Sequence, residues 1–578
     1  MATPPLPPSG PTGQAAATPT RKAGSRRWRV ALGVLLALLV VGALVYANRF
    51  YILQYSLGWH TDWRYPREPN HPVPWQAGPA RAEQTPAQRP PNVIVILADD
   101  MGINDVSTNG GGHTDEGVPT PAIDSIARDG VNFANGYAGA AVCTVSRAAL
   151  LTGRYPWRFG VEFTPTPGAM SRVAGLLYAD PKRTLPVVVD QKLASSIKDF
   201  NELGMPPSEV TIAEALKTRG YHTVHIGKWH LGSTPDMRPS NQGFDETLFM
   251  ESGLHLPEDS PEVVNSKQDF DPIDKFLWPN MRYAVSYNGG KWFEPAKYLA
   301  DYYTDEAIKV IEANQHQPFF LYLAHWGVHS PLQASKADYD ALDHIADHRR
   351  RVYAAMVRSI DRSVGRILQT LRDKGLDDNT IVVFTSDNGA PGYIGIPDVN
   401  RPYRGWKLTQ FEGGIRVPYV AKWPAHIPAG LRYSSPVSNI DIMPTVLAAS
   451  GAALPSDRPI DGVNLLPYLR QGAPAQPGRA LFWRDGSYQA MQVDGWKLIK
   501  AERPRKDWLF HLSEDPTERH DLSAAEPQRL AQMNALLAQH NAGMPAPLWP
   551  TFIQLPIYID KTLDQPVGPG DEYAYWNN

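Results

Sequence analysis

Short apolar runs, each followed by polar residues, recur along the central part of the chain. The run from Val93 to Leu97 is unbroken and is followed closely by two aspartates. A run that is short, rich in β-branched residues and closed by polar side chains predicts a strand buried on both faces. Similar runs occur at 222–229, 318–326 and 380–389.

Segments with a helical spacing of apolar residues lie between these runs. They occupy residues 120–130, 211–220, 298–314 and 353–375, and several of them end in or next to glycine, which commonly terminates a helix. Strands that alternate with helices predict an α/β fold, in which helices sandwich a large mixed, mainly parallel sheet. Ligand sites in such sheets lie at the carboxyl ends of the strands.

The pattern changes near residue 455. Residues 480–501 and 507–522 alternate apolar and polar side chains between turn residues, which predicts antiparallel strands, and 523–543 has helical spacing. We therefore expect a main domain over 91–454 and a smaller α+β subdomain and tail over 455–578. The aromatic residues at the end of the chain have no pattern that assigns them to an element.

Three segments are predicted before residue 91 from their composition. Residues 1–27 are rich in Pro, Ala, Gly and Thr and end in basic residues, which predicts a disordered basic tail. Residues 28–47 predict a transmembrane anchor or a signal peptide, because Val30 to Ala47 carries no charged side chain. Residues 48–90 are rich in Pro, Trp and charge, which predicts an extended linker.

The charges around the apolar segment predict the location of the protein. Basic residues precede the segment, so the N-terminus is expected in the cytoplasm and the folded part outside it, in the periplasm or the extracellular space. An uncleaved helix would hold the protein at the membrane, whereas cleavage after Ala47 would release it.

Composition excludes several classes of partner and site. The formal net charge is -3, so nothing favours binding to nucleic acid. The chain contains one cysteine, Cys143, which excludes an intrachain disulfide framework and zinc sites built from several thiolates.

Oxygen ligands follow two of the predicted strands. Asp99 and Asp100 come after the first run, and Asp387 and Asn388 lie at the polar end of the segment 380–389. Adjacent carboxylates repel one another unless a cation neutralises them, and carboxylate and amide oxygens suit Ca²⁺ or Mg²⁺. Each residue alone is equally compatible with a helix cap or a turn, but the repeated arrangement favours a cation site.

Cationic and imidazole side chains occupy equivalent positions. Lys228 lies at the end of the segment 222–229 and His230 directly follows it. His329 precedes a proline turn, and Lys407 lies in a glycine-rich loop. A pocket that combines a cation, lysines and histidines would suit a tetrahedral oxyanion ester.

The segment around the cysteine resembles a known signature. Residues 143–154, "CTVSRAALLTGR", resemble the signature of the type I sulfatases of the alkaline phosphatase superfamily, Cys-x-Pro-Ser-Arg followed by Leu-Thr-Gly-Arg. Further segments resemble that family in the same order, namely "LADDMG", "GKWHLG", "HSPL", "TSDNG", "RGWKLTQFEGGIRVP" and "LFHLSEDPTERHDL". The resemblance extends over roughly residues 90 to 525 and implies that 91–454 is a sulfatase catalytic domain.

The resemblance implies an arylsulfatase-like hydrolase of sulfate monoesters. Cys143 would be oxidised by a formylglycine-generating enzyme to formylglycine, whose hydrate attacks the sulfur of a small-molecule or carbohydrate sulfate ester. The alcohol then leaves, and the second hydroxyl of the hydrate collapses to the aldehyde and expels inorganic sulfate.

The resemblance also implies a role for each matching residue. The residues expected to hold Ca²⁺ are Asp99, Asp100, Asp387 and Asn388. Arg147 and Lys228 would position the hydrate, and His230 would act as the base in its collapse. His329 and Lys407 would bind sulfate and protonate the leaving oxygen. His325 has no implied role and is expected to be structural.

One residue departs from the family pattern. Position 145 is Val where the family has Pro, and the modifying enzyme binds an extended peptide around the cysteine. Two alternatives therefore stand beside the sulfatase hypothesis. One is a phosphatase or phosphonate monoester hydrolase of the same superfamily, and the other is an inactive, sulfatase-like binding protein with an unconverted Cys143.

Two long inserts are expected to shape the substrate pocket. They span 161–203 and 251–295, and the second contains Trp278 and Trp292. Either tryptophan could stack on a substrate ring, but ordinary core packing explains them equally well.

Overall fold

The computed structural model describes residues 1, 3–5, 8, 10, 24–85, 88–110, 118–166, 185–250, 252–470, 473 and 478–578. The chain forms two compact units, Met1–His60 and Thr61–Asn578. Most of the basic tail predicted over 1–27 lies outside the described residues.

The first unit consists mainly of helix. Helix α1 spans Gly24–Ala47, and its part Trp28–Ala47 is long and apolar enough to cross a membrane. The side chains of that part are exposed, as expected for an anchor or a signal segment. Helix α2, Arg49–Arg64, begins two residues after α1 ends.

The prediction of an extended linker over 48–90 is wrong for its first part, because residues 49–64 form α2. The prolines of this region begin only at Pro66, so none interrupts the hydrogen bonds of the helix. The later part contains the prolines and is irregular, and it packs against other residues of the second unit. Val73 is buried, and Trp75 donates a hydrogen bond to Glu306 at 2.7 Å.

The other helices follow the helical spacing in the sequence. In chain order they are α3 (Pro121–Arg128), α4 (Cys143–Thr152), α5 (Gln191–Ser196), α6 (Ile212–Lys217), α7 (Pro272–Asn280), α8 (Leu299–Ala313), α9 (Lys336–Asp340), α10 (His348–Asp373), α11 (Glu412–Ile415), α12 (Ile442–Ser450) and α13 (Pro527–Asn541).

The strands form one large sheet and several small ones. In chain order they are β1 (Asn92–Ala98), β2 (Val131–Phe133), β3 (Gly136–Tyr137), β4 (Val188–Val189), β5 (His222–Lys228), β6 (Glu246–Met250), β7 (Val263–Ser266), β8 (Val285–Tyr287), β9 (Trp292–Phe293), β10 (Phe319–Ala324), β11 (Leu332–Ser335), β12 (Thr380–Ser386), β13 (Tyr419–Lys422), β14 (Leu431–Tyr433), β15 (Val437–Ser438), β16 (Leu481–Asp485), β17 (Tyr488–Val493), β18 (Trp496–Glu502), β19 (Arg505–His511), β20 (Ile553–Tyr558) and β21 (Tyr573–Asn577).

The large sheet has ten strands in the order β14-β2-β13-β12-β1-β10-β5-β6-β8-β9. Its centre, β12-β1-β10-β5-β6, is parallel, and antiparallel pairs flank this centre on both sides. The predicted α/β fold with a mixed, mainly parallel sheet is therefore confirmed.

Two hydrophobic cores lie on the two faces of this sheet. Because side chains alternate along a strand, Ile94 and Ile96 of β1 join one core, whereas Val95 and Leu97 join the other. Helices α3, α8 and α10 pack in the first core, and α4, α6 and α12 pack in the second. Burial on both faces explains the continuous apolar runs in the sequence.

The C-terminal region contains the antiparallel strands and helix predicted there. Strands β16 to β19 form a four-stranded antiparallel sheet, and Met533 and Leu537 of α13 pack against it. The aromatic end of the chain forms β21, which pairs with β20, and β20 also pairs with β4 from the first insert. The second unit includes both predicted domains, so the boundary at 455 stays a prediction.

Candidate active site

The carboxyl ends of four neighbouring parallel strands carry the polar residues singled out in the sequence. Asp387 follows β12, Asp99 follows β1, His325 follows β10, and Lys228 ends β5. These four strands lie side by side in the sheet, so residues that are far apart in the sequence meet at one edge. The side chains of Asp99, Asp387 and Lys228 are buried there.

Cys143 lies at the start of α4, directly against the carboxylates. Its Sγ atom is 3.5 Å from Oδ1 of Asp99 and 3.8 Å from Oδ1 of Asp100. Burial, and then the negative charge of Asp387, raise the pKa of the Cys143 thiol well above its ordinary value. The thiolate form is therefore disfavoured, which makes the unmodified side chain a weak nucleophile.

Two cations neutralise part of the carboxylate charge. Arg147, one turn along α4 from Cys143, donates from Nε to Oδ2 of Asp387 at 3.0 Å, and its NH2 group lies 3.4 Å from Asp99. Lys228 donates to Oδ2 of Asp99 at 2.7 Å. These side chains are buried, so their positions relative to Cys143 are fixed by ion pairs as well as by packing.

Asp100 contacts a second group of polar side chains. It accepts hydrogen bonds from Lys407 at 2.9 Å and from Nδ2 of Asn388 at 2.7 Å, and Nε2 of His329 lies 3.6 Å from it. Burial opposes the ionisation of Asp100, but Lys407 holds its pKa well below the usual range. Tyr393 also donates to Asp100, at 3.3 Å.

Both histidines predicted at the site are held in the neutral form. Burial, and then the charges of Lys228 and Arg147, lower the pKa of His230 well below its ordinary value. Its buried Nδ1 has no hydrogen-bond partner among the described atoms. Burial lowers the pKa of His329 to about 3. A neutral imidazole can accept a proton, as a general base does.

The oxygen atoms of the site fit a hard divalent cation. Ligand atoms of Asp99, Asp100, Cys143 and His329 lie within 4.8 Å of one another. Asp387 lies outside that group, but its Oδ1 accepts a hydrogen bond from the backbone N–H of Asp100 at 3.2 Å. Burial, with the charge of Asp99, raises the pKa of Asp387 to about 6. A bound cation would offset the repulsion between these neighbouring carboxylates.

Asn388 supplies a further oxygen for such a cation. Its Oδ1 atom is buried and has no hydrogen-bond partner among the described atoms. Its Nδ2 atom contacts Asp100 and Gly389 instead. Rotation of the amide exchanges the two atoms, so the side chain can present oxygen toward Asp100. An unpaired buried oxygen is costly unless a ligand satisfies it.

The backbone at the site adopts conformations that side chains rarely favour. The φ angles of Asp100, His230 and Leu408 are 62°, 61° and 77°, in the left-handed region. Gly227, directly before Lys228, has φ 105°, and a Cβ there would lie 1.9 Å from the carbonyl oxygen of Ala324. Such strain concentrates at functional sites, where it fixes the direction of a side chain.

A cavity of about 250 Å³ opens onto these residues. Residues predicted from the sequence that line it are Cys143, Lys228, His230, His329 and Lys407. The two inserts expected to shape the pocket also line it, the first through residues 164–166 and Phe200 and the second through helix α7 and Met281. The sequence did not indicate Trp326, Tyr393 or strands β20 and β21 as parts of the wall. Their positions depend on pairing and packing between distant segments, which leaves no local pattern.

The tryptophans of the second insert do not line this cavity. Trp278 is buried in the first core and donates a hydrogen bond to Asp274, and Trp292 packs beside Phe249. Core packing therefore accounts for both. His325 contacts Ser363 at 3.0 Å and is buried behind the cavity lining. Part of the first insert, 167–184, lies outside the described residues.

Comparison with known proteins identifies the family. The family profile described as Sulfatase matches residues 91–452, which is more than half of the chain. The chain belongs to the sulfatase family. A second profile, for the C-terminal region of N-sulphoglucosamine sulphohydrolase, matches residues 405–542 of this sulfatase.

Curated relatives and solved structures agree with that family. Human N-acetylgalactosamine-6-sulfatase is 33% identical over 497 residues, which cover 79% of this chain and 87% of the relative. Mouse steryl-sulfatase is 31% identical over 586 residues, covering 81% and 86%. The crystal structure of Ps i-CgsB in complex with k-i-k-neocarrahexaose has a TM-score of 0.66 at 29% identity, covering 80% of this chain and 95% of that one.

A phosphonate monoester hydrolase of Agrobacterium radiobacter has a TM-score of 0.54 at 18% identity, covering 79% of this chain and 96% of that one, and this likeness concerns the fold alone. The sulfatase family acts on sulfate esters, and the protein is accordingly a sulfuric ester hydrolase.

Proposed function

We propose that this sulfatase hydrolyses its sulfate ester through formylglycine formed from Cys143 and with a bound Ca²⁺ ion. The observation that carries the proposal is the position of Cys143, whose Sγ lies 3.5 Å from Asp99 and 3.8 Å from Asp100. A thiol buried against carboxylates is a poor nucleophile. Conversion to formylglycine replaces that thiol by an aldehyde, whose hydrate supplies an oxygen nucleophile and a second hydroxyl for release of sulfate.

The proposed calcium site uses the oxygen atoms of Asp99, Asp100, Asp387 and Asn388. All four residues are buried, and three of them carry carboxylates, which are hard ligands. A Ca²⁺ ion would lower the pKa of the nucleophile and take up negative charge that develops on the sulfate oxygens.

The proposed roles of the other residues follow from their contacts. Arg147 and Lys228 form ion pairs with Asp99, which contacts Cys143, and this suits them to position the hydrate formed at residue 143. His230 is neutral and has a free Nδ1 in the described structure, so it suits the role of proton acceptor during release of sulfate.

His329 and Lys407 lie on the other side of Asp100 and suit binding of the sulfate oxygens. Burial opposes the protonated form of Lys407, but Asp100 raises its pKa well above the ordinary value. Lys407 therefore remains charged and can donate a proton to the ester oxygen as the bond between that oxygen and sulfur breaks, while the neutral His329 binds the sulfate.

We also propose that α1 remains in the mature protein as a membrane anchor. The exposed aromatic side chains of Trp28 and Tyr46 flank the apolar stretch at its two ends. Tryptophan and tyrosine favour the two interfaces of a bilayer, where their rings have one apolar and one polar side. This arrangement supports a helix that spans the membrane, with the catalytic unit outside the cytoplasm.

The test of the catalytic proposal uses the full chain coexpressed with a formylglycine-generating enzyme. Mass spectrometry of the tryptic peptide 129–147 should detect replacement of the Cys143 thiol by an aldehyde. Inorganic sulfate should be released from an aryl sulfate, and a calcium chelator or Cys143→Ala should abolish the release. Release of phosphate from the matching aryl phosphate at a higher rate would favour the phosphatase alternative, and an unconverted Cys143 would favour the binding-protein alternative.

The calcium site has a separate test in Asn388→Ala. Loss of one ligand should weaken calcium binding, measured by calorimetry, by about tenfold or more. Asn70→Ala, which changes an exposed asparagine outside the cluster, should leave it unchanged. Equal calcium affinity in both variants would contradict the proposed ligand set.

A further inference from the structure

The cavity at Cys143 has an apolar wall beyond its charged end. Helix α7 contributes Ile273, Phe276 and Leu277, and the C-terminal strands contribute Leu555 and Trp576. The remaining apolar lining residues come from several loops and strands, namely Val142, Pro165, Phe200, Met281, Trp326, Leu408 and Ile553. Residues from at least six separate segments therefore build one continuous apolar surface beside the reacting centre.

Charged side chains on this wall are confined to the catalytic cluster. Among the described lining residues, no Asp, Glu, Arg or Gln occurs, and the two lysines are Lys228 and Lys407. The polar side chains elsewhere on the wall are those of Thr164, Thr166, Ser252, Ser330, Tyr393 and Asn578. Oγ1 of Thr164 and Oδ1 of Asn578 are buried and have no hydrogen-bond partner among the described atoms. Asn578 donates a hydrogen bond to Thr166, and Tyr393 donates to Asp100.

A second cavity of about 330 Å³ adjoins the first. The two share Ile273, Tyr393, Lys407, Leu408 and Leu555 as lining residues. The second cavity continues along β20, past Ile557 and Trp406. The apolar surface therefore continues along β20, although Lys561, Thr562 and Gln565 also line the second cavity.

We propose that the alcohol esterified to sulfate is an apolar aryl or alkyl group rather than a sugar. The inference rests on the proposed function, because it places the sulfate at Cys143, His329 and Lys407. It goes beyond that function by assigning α7 and β20 to substrate selection.

The physical reason is that an apolar alcohol and a sugar differ in the free energy of entering an apolar cavity from water. An aryl or alkyl group gains free energy in proportion to the apolar area that it removes from water. A pyranose carries several hydroxyls, and each hydroxyl buried against Ile273, Leu277 or Leu555 without a partner costs free energy. Sites that select sugars need side chains that donate and accept hydrogen bonds around the ring.

The first measurement is ligand binding, which does not depend on conversion of the cysteine. The full-length Cys143→Ala protein, in lipid nanodiscs and with calcium, is titrated calorimetrically with 2-naphthyl sulfate and with galactose 6-sulfate. We expect tighter binding of 2-naphthyl sulfate. Leu555→Asn in this background should weaken that binding about tenfold, because a polar amide replaces an apolar contact, and should leave galactose 6-sulfate unchanged.

Two further variants separate substrate contact from a folding defect. Leu555→Met keeps an apolar side chain of similar volume and should retain binding. Leu536→Asn makes the same chemical change at an exposed leucine on α13 and should also retain it. Tighter binding of galactose 6-sulfate, or equal weakening of both ligands by Leu555→Asn, would overturn the inference.

Turnover by the converted enzyme distinguishes this inference from the proposed function. Release of sulfate from 2-naphthyl sulfate at a higher kcat/KM than from galactose 6-sulfate supports the proposed function and the apolar substrate. Release from galactose 6-sulfate alone keeps the proposed function and overturns the apolar substrate. Release from neither ester by protein with confirmed formylglycine overturns the proposed function, and the substrate assignment with it.

Discussion

At the residue scale, position 145 is where this sulfatase departs from its family pattern. Val145 is the third residue of α4 and is buried in the second core. The first backbone hydrogen bond of the helix runs from the N–H of Ser146 to the carbonyl of Val142, at 3.0 Å. The N–H of Val145 therefore has no acceptor within the helix, and proline fits the backbone at this position.

Val145→Pro should fold and should convert Cys143 at least as completely as the native chain. Both residues favour the extended backbone in which the modifying enzyme binds the nascent peptide. The measurement is the converted fraction of peptide 129–147 by mass spectrometry after coexpression with the modifying enzyme. Val145→Ala is the matched control for loss of side-chain volume. A lower converted fraction for Val145→Pro than for the native chain would contradict the prediction.

Single residues of the site differ in whether a sequence pattern can identify them. Asp99, Asp100, Asp387 and Asn388 were found because they follow apolar runs, and the sheet then brings strands β1 and β12 together. Tyr393 was missed, although it donates to Asp100, because it lies in a 3₁₀ turn of three residues, Gly392–Ile394, which is too short to have a periodic pattern.

At the scale of elements, one buried lysine joins the C-terminal sheet to the loop that carries Lys407. Lys497 of β18 lies 2.8 Å from Glu412, at the start of α11, and 2.7 Å from Glu518, after β19. All three side chains are buried. Phe411 and Ile415 pack with Trp508 and Phe510 of the same sheet. The sheet therefore holds the segment that follows Lys407.

Lys497→Met should lower the free energy of unfolding by about 3–5 kcal/mol, because it leaves two carboxylates buried without their shared cation. The measurement is urea or thermal denaturation followed by fluorescence. Lys500→Met is the matched control on the same strand. Lys500 is half-exposed, and its distance to Asp507 is 3.3 Å, which is longer than the two ion pairs of Lys497. An equal decrease in the free energy of unfolding in the two variants would show that the buried ion pairs of Lys497 contribute no more to stability than the exposed contact of Lys500.

At the scale of the whole molecule, the proposed anchor α1 would determine where the enzyme works. If the helix is retained, the full chain should stay in the membrane fraction after an alkaline carbonate wash, because the exposed apolar side chains of Trp28–Ala47 favour the bilayer core. Deletion of residues 28–47 is the matched control and should release that protein from the membrane fraction. A mature chain that begins at Asn48 in the soluble fraction would contradict anchoring.

The sequence alone determined the class of fold and indicated most of the residues that meet at the candidate site. Apolar runs that are buried on both faces appear as continuous β-branched stretches, so β1, β5, β10 and β12 were predictable, as were α3, α6, α8 and α10 between them. Local composition also placed oxygen ligands and cations after strand ends, and the cysteine signature supplied the family resemblance.

Only the tertiary structure decided which strands are neighbours and what encloses the site. Strand β10 lies between β1 and β5, and β21 pairs with β20 beside the cavity. These arrangements depend on contacts between separate segments of the chain, as between Val93 and Phe320, and such contacts leave no periodic signal in either segment. The helix α2 was missed for a different reason, since a linker-like composition over the whole region concealed a shorter stretch without proline.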